Sequence, residues 1–136
     1  MDLDDALDFL SDHHHALLAT MRPDGMPQLS PVTVALDEQR RVVVSTRETA
    51  VKTRHLRRDP RASLCVLSDG FFGPFVQIEG TAEVVSLPDA MEGLVAYYRA
   101  AAGEHPDWEA YRAAMVAERR VLIRVTPTRV GPTVSG

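Results

Sequence analysis

The sequence contains few of the residues that often indicate a function: it has one cysteine, Cys65, one lysine, Lys52, and one tryptophan. A single cysteine excludes an intramolecular disulfide framework and any cysteine-clustered zinc or iron–sulfur site. Cys65 itself lies in an apolar run, which predicts a buried, inert thiol. No apolar run approaches the roughly 18 residues that a transmembrane helix needs. The first ten residues are acidic and lack the basic start of a signal peptide, so we expect a cytoplasmic protein.

Familiar catalytic motifs are also missing. The chain has no HExxH, P-loop, GxGxxG or Ser/His/Asp order, and no carboxylate pair stands out as an acid/base couple. His13, His14 and His15 are consecutive, so they point in different directions and predict a polar connector rather than a metal site. If the protein is an enzyme, a bound cofactor supplies the chemistry.

The 136 residues are 45% hydrophobic and 25% charged, as expected of one globular domain spanning residues 1–136. The net charge of −4 argues against a general nucleic-acid binder. Charge is unevenly distributed, however, because residues 47–61 contain six basic and two acidic side chains, against nine and seventeen in the other 121. A basic segment in an acidic chain predicts a small anionic partner.

Hydrophobic periodicity predicts an α+β protein. Prolines at 27 and 31 place the strand that contains them at a sheet edge, and Gly80 predicts a bulge within a long strand. The strand over residues 63–67 is a continuous apolar run, which indicates burial on both faces. Six antiparallel strands with peripheral helices predict a closed or half-closed barrel, with any ligand at its rim or across a subunit boundary. We predict helices over residues 3–12, 50–59, 88–102 and 107–118, and strands over 16–21, 28–36, 41–46, 63–67, 75–87 and 120–126.

The strongest candidate site lies where a predicted strand leads into the basic helix. Ser45 and Thr46 end the strand, while Lys52 and Thr53 fall in the first turn of the helix, where backbone N–H groups are free. Hydroxyls, a lysine and free N–H groups suit a phosphate. The alternative is a Ser/Thr helix cap followed by a solvated basic face.

Three further groups have two interpretations each. Gln28 and Ser30 could contact a flat heterocycle or form hydrated edge surface. The aromatic residues of the last two helices have the spacing of core or dimer packing. The phenylalanines around the glycine-rich loop over residues 70–74 could form a ligand lid or meet a partner. The helical aromatics are Tyr97, Tyr98, Trp108 and Tyr111, and the phenylalanines are Phe71, Phe72 and Phe75.

The order of several segments resembles a known superfamily over nearly the whole chain. These segments are LLATMRPDGMPQLSPV, VVVST, KTRHLRRDPRASL, IEGTAEVV and GEHPDWEAYRAAMVAERRVLIRV. They resemble the flavin- and deazaflavin-binding split barrels typified by pyridoxamine 5′-phosphate oxidase, and within them the small actinobacterial reductases that use coenzyme F420.

The resemblance implies a six-stranded split barrel that forms a homodimer, with cofactor sites at the subunit interface. It implies hydride transfer from reduced F420 to an electron-poor C=C or C=N bond of a small organic substrate. An FMN-dependent oxidoreductase of the same fold and a non-catalytic cofactor-binding protein are the alternatives. Neither nucleic acid nor membrane is an expected partner, and no catalytic residue is identified.

The resemblance also assigns residues to the cofactor. Ser45, Thr46, Lys52 and Thr53 would hold the phosphate, Gln28, Ser30, Pro31 and Val32 would face the ring system, and Phe75 could come from the other subunit. Family members often have a further arginine where this chain has Ala50, and Arg47 could substitute for it.

Overall fold

The computed structural model describes residues 1–131. Its helices and strands follow the predicted order, and the α+β class is confirmed. None of the helices in this part of the chain is long and apolar enough to cross a bilayer. The elements are α1 (Leu3–Asp12), β1 (His15–Met21), β2 (Pro27–Thr33), β3 (Ala35–Leu36), β4 (Val42–Arg47), α2 (Val51–Arg58), β5 (Arg61–Leu67), β6 (Phe75–Val85), α3 (Met91–Ala102), α4 (Trp108–Ala117) and β7 (Arg120–Val130).

One antiparallel sheet of seven strands, in the order β2-β1-β5-β6-β7-β4-β3, curls into a half-barrel. The two edge strands, β2 and β3, are separated along the chain by Val34 alone, so the sheet must bend until its edges meet. The predicted strand over residues 28–36 was therefore wrong as one strand: it leaves β1 after Thr33 and pairs with β4 from Ala35. The sheet has seven strands instead of six for this reason.

Alternating side chains fill the inside of the curl. Leu18, Leu64, Ile78 and Ile123 are completely buried there, and α1 covers them with Leu10. Each such side chain stabilises the fold by roughly 1.5–3 kcal/mol through burial. A second cluster lies between the sheet and the pair α3–α4, and it holds these two helices against β4 and β7.

Local signals account for the ends of the first helix. The Asp2 carboxylate accepts from the Asp5 N–H at 2.9 Å, and Asp5 reaches back to the N–H of Asp2, forming a capping box. His13 Nδ1 lies 2.9 Å from the Phe9 carbonyl, and His14 Nδ1 lies 2.8 Å from the Val34 carbonyl. The histidine run is thus a connector whose first two rings contact the backbone.

The structure corrects one predicted burial and two predicted element ends. Only alternate residues of β5 are buried, so Cys65 is half-buried on the outer face, where burial raises the pKa of its thiol. The third helix begins at Met91 and not at Pro88, because residues 87–90 form a turn before it. The last strand continues to Val130, since β7 pairs with β6 beyond the predicted end at residue 126.

Gly80 lies at an irregularity in the longest pairing of the sheet, as predicted. The register of β6 against β7 shifts between Glu79 and Gly80. At this irregularity Gly80 lies against the backbone of Thr126.

A buried histidine under α2 makes stability depend on pH. His55 is 6% exposed, and its Nδ1 lies 3.0 Å from the Thr20 hydroxyl. Burial lowers the pKa of His55 below 6.5, and the charges of Arg58, Arg54 and Arg22 lower it further. The unfolded chain therefore binds this proton more readily than the folded protein does. The stabilising contribution is complete above about pH 6.5 and is lost as the pH falls from there through the folded pKa.

We expect the free energy of unfolding to decrease between about pH 7.5 and pH 5.5, and His55→Gln to remove much of that decrease. Urea denaturation over this pH range measures it. His15→Gln is the matched control, because His15 is exposed. An equal pH dependence in wild type and His55→Gln would show that His55 is not responsible.

Candidate functional site

A cleft of about 520 Å³ opens where the ends of β2 and β4 meet the start of α2, the helices α3 and α4, and the start of β7. Ser45, Thr46 and Lys52 line it, so the structure brings together three of the residues predicted to bind phosphate. They converge because β4 ends beside the short turn that begins α2.

The side chains of these three residues have no polar partner in the described chain. Neither hydroxyl forms a hydrogen bond and Lys52 forms no ion pair with any residue of 1–131. Thr46 is only 5% exposed, and Lys52 is half-buried. The ammonium and the two hydroxyls therefore have donors that are available to an external acceptor.

Thr53 and Arg47 lie next to this site without lining the cleft. Thr53 is fully buried, and its hydroxyl donates to the Arg47 carbonyl at 2.7 Å. The N–H of Thr53 donates to the carbonyl of Ala50, the N-cap residue, whose own side chain makes no capping bond. Thr53 therefore holds the turn that presents Lys52. The Arg47 side chain is exposed and pairs with Glu118.

The residues predicted to face a ring system are divided. Pro31 and Val32 line the cleft. Gln28 lies four residues earlier on β2, about 13 Å away along an extended strand, and borders a separate cleft beside His55. Ser30 is half-buried opposite Leu18 on β1, outside the cleft.

Phe75 likewise lies away from the cleft of its own chain. It begins β6, is half-buried and pairs with Leu67. It therefore belongs to the outer surface of the sheet.

Sequence reasoning missed the wall formed by α3 and α4. Tyr97, Tyr98 and Tyr111 line the cleft. The Tyr97 hydroxyl donates to the Thr33 carbonyl at 2.9 Å, and the Tyr111 hydroxyl donates to the Leu94 carbonyl at 2.8 Å. Burial raises the pKa of Tyr97, and it raises that of Tyr111 to about 12, so both remain neutral phenols. The helical spacing of these residues predicted packing in the core or a dimer. The signal that it missed was the residue type, because a tyrosine packs its ring as an apolar surface and carries a hydroxyl at the tip that forms a hydrogen bond.

Two charged residues from a single turn also line the cleft. Glu118 is the C-cap residue that directly follows α4, and Arg120 begins β7. One oxygen of Glu118 accepts from Arg120 Nη2 at 2.8 Å and Nε at 3.0 Å. The same oxygen lies 3.4 Å from Arg47 Nη2. The hydrogen bonds from Arg120 are the main reason that the pKa of Glu118 is lowered, so this carboxyl is ionised at neutral pH.

The arrangement suits an anion attached to a flat group. Lys52, Ser45 and Thr46 offer donors at one end, as a phosphate requires. The tyrosines and the β2 segment of Pro31 and Val32 offer an apolar wall at the other.

Known proteins share both the sequence pattern and the fold. The family profile described as pyridoxamine 5′-phosphate oxidase matches residues 3–133. The F420H2-dependent biliverdin reductase of Mycobacterium tuberculosis (strain CDC 1551 / Oshkosh) is 33% identical over 128 residues, which is 93% of this chain and 85% of that protein.

Two solved structures extend the comparison. A conserved hypothetical protein from Mycobacterium tuberculosis superposes with a TM-score of 0.79 at 27% identity, over 99% of this chain and 85% of that one. A protein named F420 reductase superposes with a TM-score of 0.68 at 25% identity, over 91% and 94% respectively. The half-barrel is therefore the split barrel that the sequence predicted, and the chain belongs to the pyridoxamine 5′-phosphate oxidase family.

Proposed function

We propose that the protein is an F420-dependent reductase that transfers a hydride to an electron-poor C=C or C=N bond of a small organic substrate. The observation that carries the proposal is the convergence of Ser45, Thr46 and Lys52, unpartnered within the described chain, in one cleft. The choice of F420 is supported by the relative named as an F420H2-dependent biliverdin reductase and by the solved F420 reductase.

Lys52 and the hydroxyls of Ser45 and Thr46 bind the cofactor phosphate in this proposal. Lysine acts as a point charge and the hydroxyls donate to separate phosphate oxygens. Thr53 and Arg47 support the site indirectly, because the bond from the Thr53 hydroxyl to the Arg47 carbonyl closes the turn before Lys52.

Reduced F420, when bound, supplies a hydride. The chain positions the reactants and shields them from water. Pro31 and Val32 form one side of the cleft, and Tyr97 and Tyr98 form another. The hydrogen bond from Tyr97 to the Thr33 carbonyl fixes the tyrosine wall against β2, so that the cleft keeps its width. Such a wall excludes water from the reacting atoms.

The protein is proposed to act as a homodimer. The outer face of β2, β1, β5 and β6 carries an apolar patch, on which Leu17 and Leu29 are 38% and 62% exposed. Pro31, Leu67 and Phe75 continue the same face. We propose that a second copy covers it and that Phe75 reaches the ring system of a cofactor held across that interface, whereas Gln28 and Ser30, paired with Thr20 and Leu18, lie on the inward face of β2. Sedimentation velocity tests the dimer, and a monomer with full cofactor affinity would contradict the shared site.

Parallel fluorescence titrations with F420 and FMN test the cofactor. Tight F420 binding with weak FMN binding supports the proposal. Preference for FMN would assign the protein to the flavin-dependent members of the family, and binding of neither would leave the cleft as a site for another anion.

Turnover tests the reaction itself. F420H2 oxidation is followed with a panel of acceptors that begins with biliverdin, because that substrate appears in the name of the mycobacterial relative. Steady oxidation with an acceptor supports a reductase. Tight F420 binding without turnover on any conjugated C=C or C=N acceptor would favour a cofactor-binding protein instead.

A further inference from the structure

Glu118 is an acidic residue in the lining of a cleft that suits anions. Among the described residues that line the cleft it is the only acidic one, and it faces the same space as Lys52. Its carboxylate oxygen accepts from Arg120, which lines the cleft, and from Arg47 beside it, and so offsets two positive charges at this end of the cleft.

The backbone around Glu118 shows that this placement is enforced. The carboxylate lies at the C-terminal end of α4, where the partial negative charge of the helix end opposes it. The next residue, Arg119, has a φ of 53°, a left-handed conformation that a side chain other than glycine adopts at a cost. The Glu48 N–H donates to the Arg119 carbonyl at 2.8 Å and holds the turn. Both Glu118 and Arg120 consequently line the cleft.

We propose that Glu118 is an internal counter-ion that limits the negative charge a ligand can bring into the cleft, and so determines specificity. Among the described residues that line the cleft, Lys52 and Arg120 are the basic ones, so while Glu118 pairs with Arg120, Lys52 is left for a phosphate. A ligand with one phosphate at that end is accepted, and a second anionic group beside Arg120 meets the carboxylate. The identity of the natural ligand rests on the proposed function, but the counter-ion role applies to any anion.

Glu118→Gln removes the charge and preserves the shape of the side chain. Arg120, which lines the cleft, and Arg47, which lies beside it, are then left without this counter-charge. We expect binding of inorganic phosphate to tighten by about fivefold or more at low salt, and the gain to shrink at high salt, where charges separated by more than a Debye length are screened. Glu118→Asp keeps the charge and should bind phosphate within about twofold of wild type.

Glu104→Gln is the matched control. Glu104 also pairs with an arginine, Arg99, at 2.6 Å, but both side chains are exposed and neither lines the cleft. Phosphate binding is measured by 31P NMR titration at low and high salt for wild type and the three variants, and F420 binding by fluorescence on the same samples. The expected result is tighter phosphate binding in Glu118→Gln alone.

Phosphate affinity equal to or weaker than wild type in Glu118→Gln would overturn the proposal. If F420 binds no variant while Glu118→Gln still tightens phosphate binding, the counter-ion stands and the proposed function fails. If F420 binds tightly but Glu118→Gln leaves phosphate affinity unchanged, the proposed function stands and the counter-ion role fails. Should Glu118→Gln not fold, Arg120→Gln leaves Glu118 less neutralised and should weaken phosphate binding by about fivefold. Unchanged binding in that variant would likewise overturn the proposal.

Discussion

Lys52→Ala is expected to weaken F420 binding by about 1.5–3 kcal/mol, the range for a hydrogen bond to a charged group, which is a rise in Kd of more than tenfold. Lys52 is half-buried, lines the cleft and has no ion pair with any described residue, so its ammonium group can pair with an anionic group of the ligand. The fold should be unaffected, because removing the side chain breaks no contact with a polar partner.

Fluorescence titration of F420 measures this change, with the thermal unfolding midpoint as the check on folding. Arg112→Ala is the matched control: it also removes one positive charge, but Arg112 lies on α4 paired with Glu92, outside the cleft. A loss of affinity that is equal in both variants would point to net charge alone. Unchanged affinity in Lys52→Ala would place the phosphate elsewhere.

Gly80→Ala is expected to lower the free energy of unfolding by about 3 kcal/mol or more, because the added methyl has no room at the bulge. A Cβ built there would lie 2.2 Å from the Thr126 carbonyl oxygen and 2.8 Å from a methyl of Val125. The backbone oxygen cannot rotate away, so the β6–β7 pairing must shift. This pairing joins the two halves of the sheet.

Gly70→Ala is the control for this prediction. Gly70 lies in the loop before β6, and the nearest heavy atom to an added Cβ is 3.9 Å away. We expect a change within about 0.5 kcal/mol. Urea denaturation of both variants measures the difference, and similar stabilities for the two would mean that the bulge adapts to a side chain.

Where the physical signal was local, the sequence determined the structure. Asp2 and the spacing of the apolar residues after it set the limits of α1, and alternation set the inward face of β6. Gly80 marked the bulge because a strand interior rarely tolerates glycine without one. The order of short segments was enough to identify the split barrel, and the basic stretch with its single lysine pointed to the cleft that Ser45, Thr46 and Lys52 line.

Contacts between residues distant in sequence were decided only by the tertiary structure. The transfer of the chain from β1 to β4 at Val34 depends on the curl of the whole sheet, which period-2 alternation does not encode. The wall of Tyr97 and Tyr111 forms because α3 and α4 fold back over β4 and β7. The pairing of Glu118 with Arg47 spans 71 residues. Local propensity acts over a few residues, whereas a cleft is the space left between elements, and its lining follows from how those elements pack.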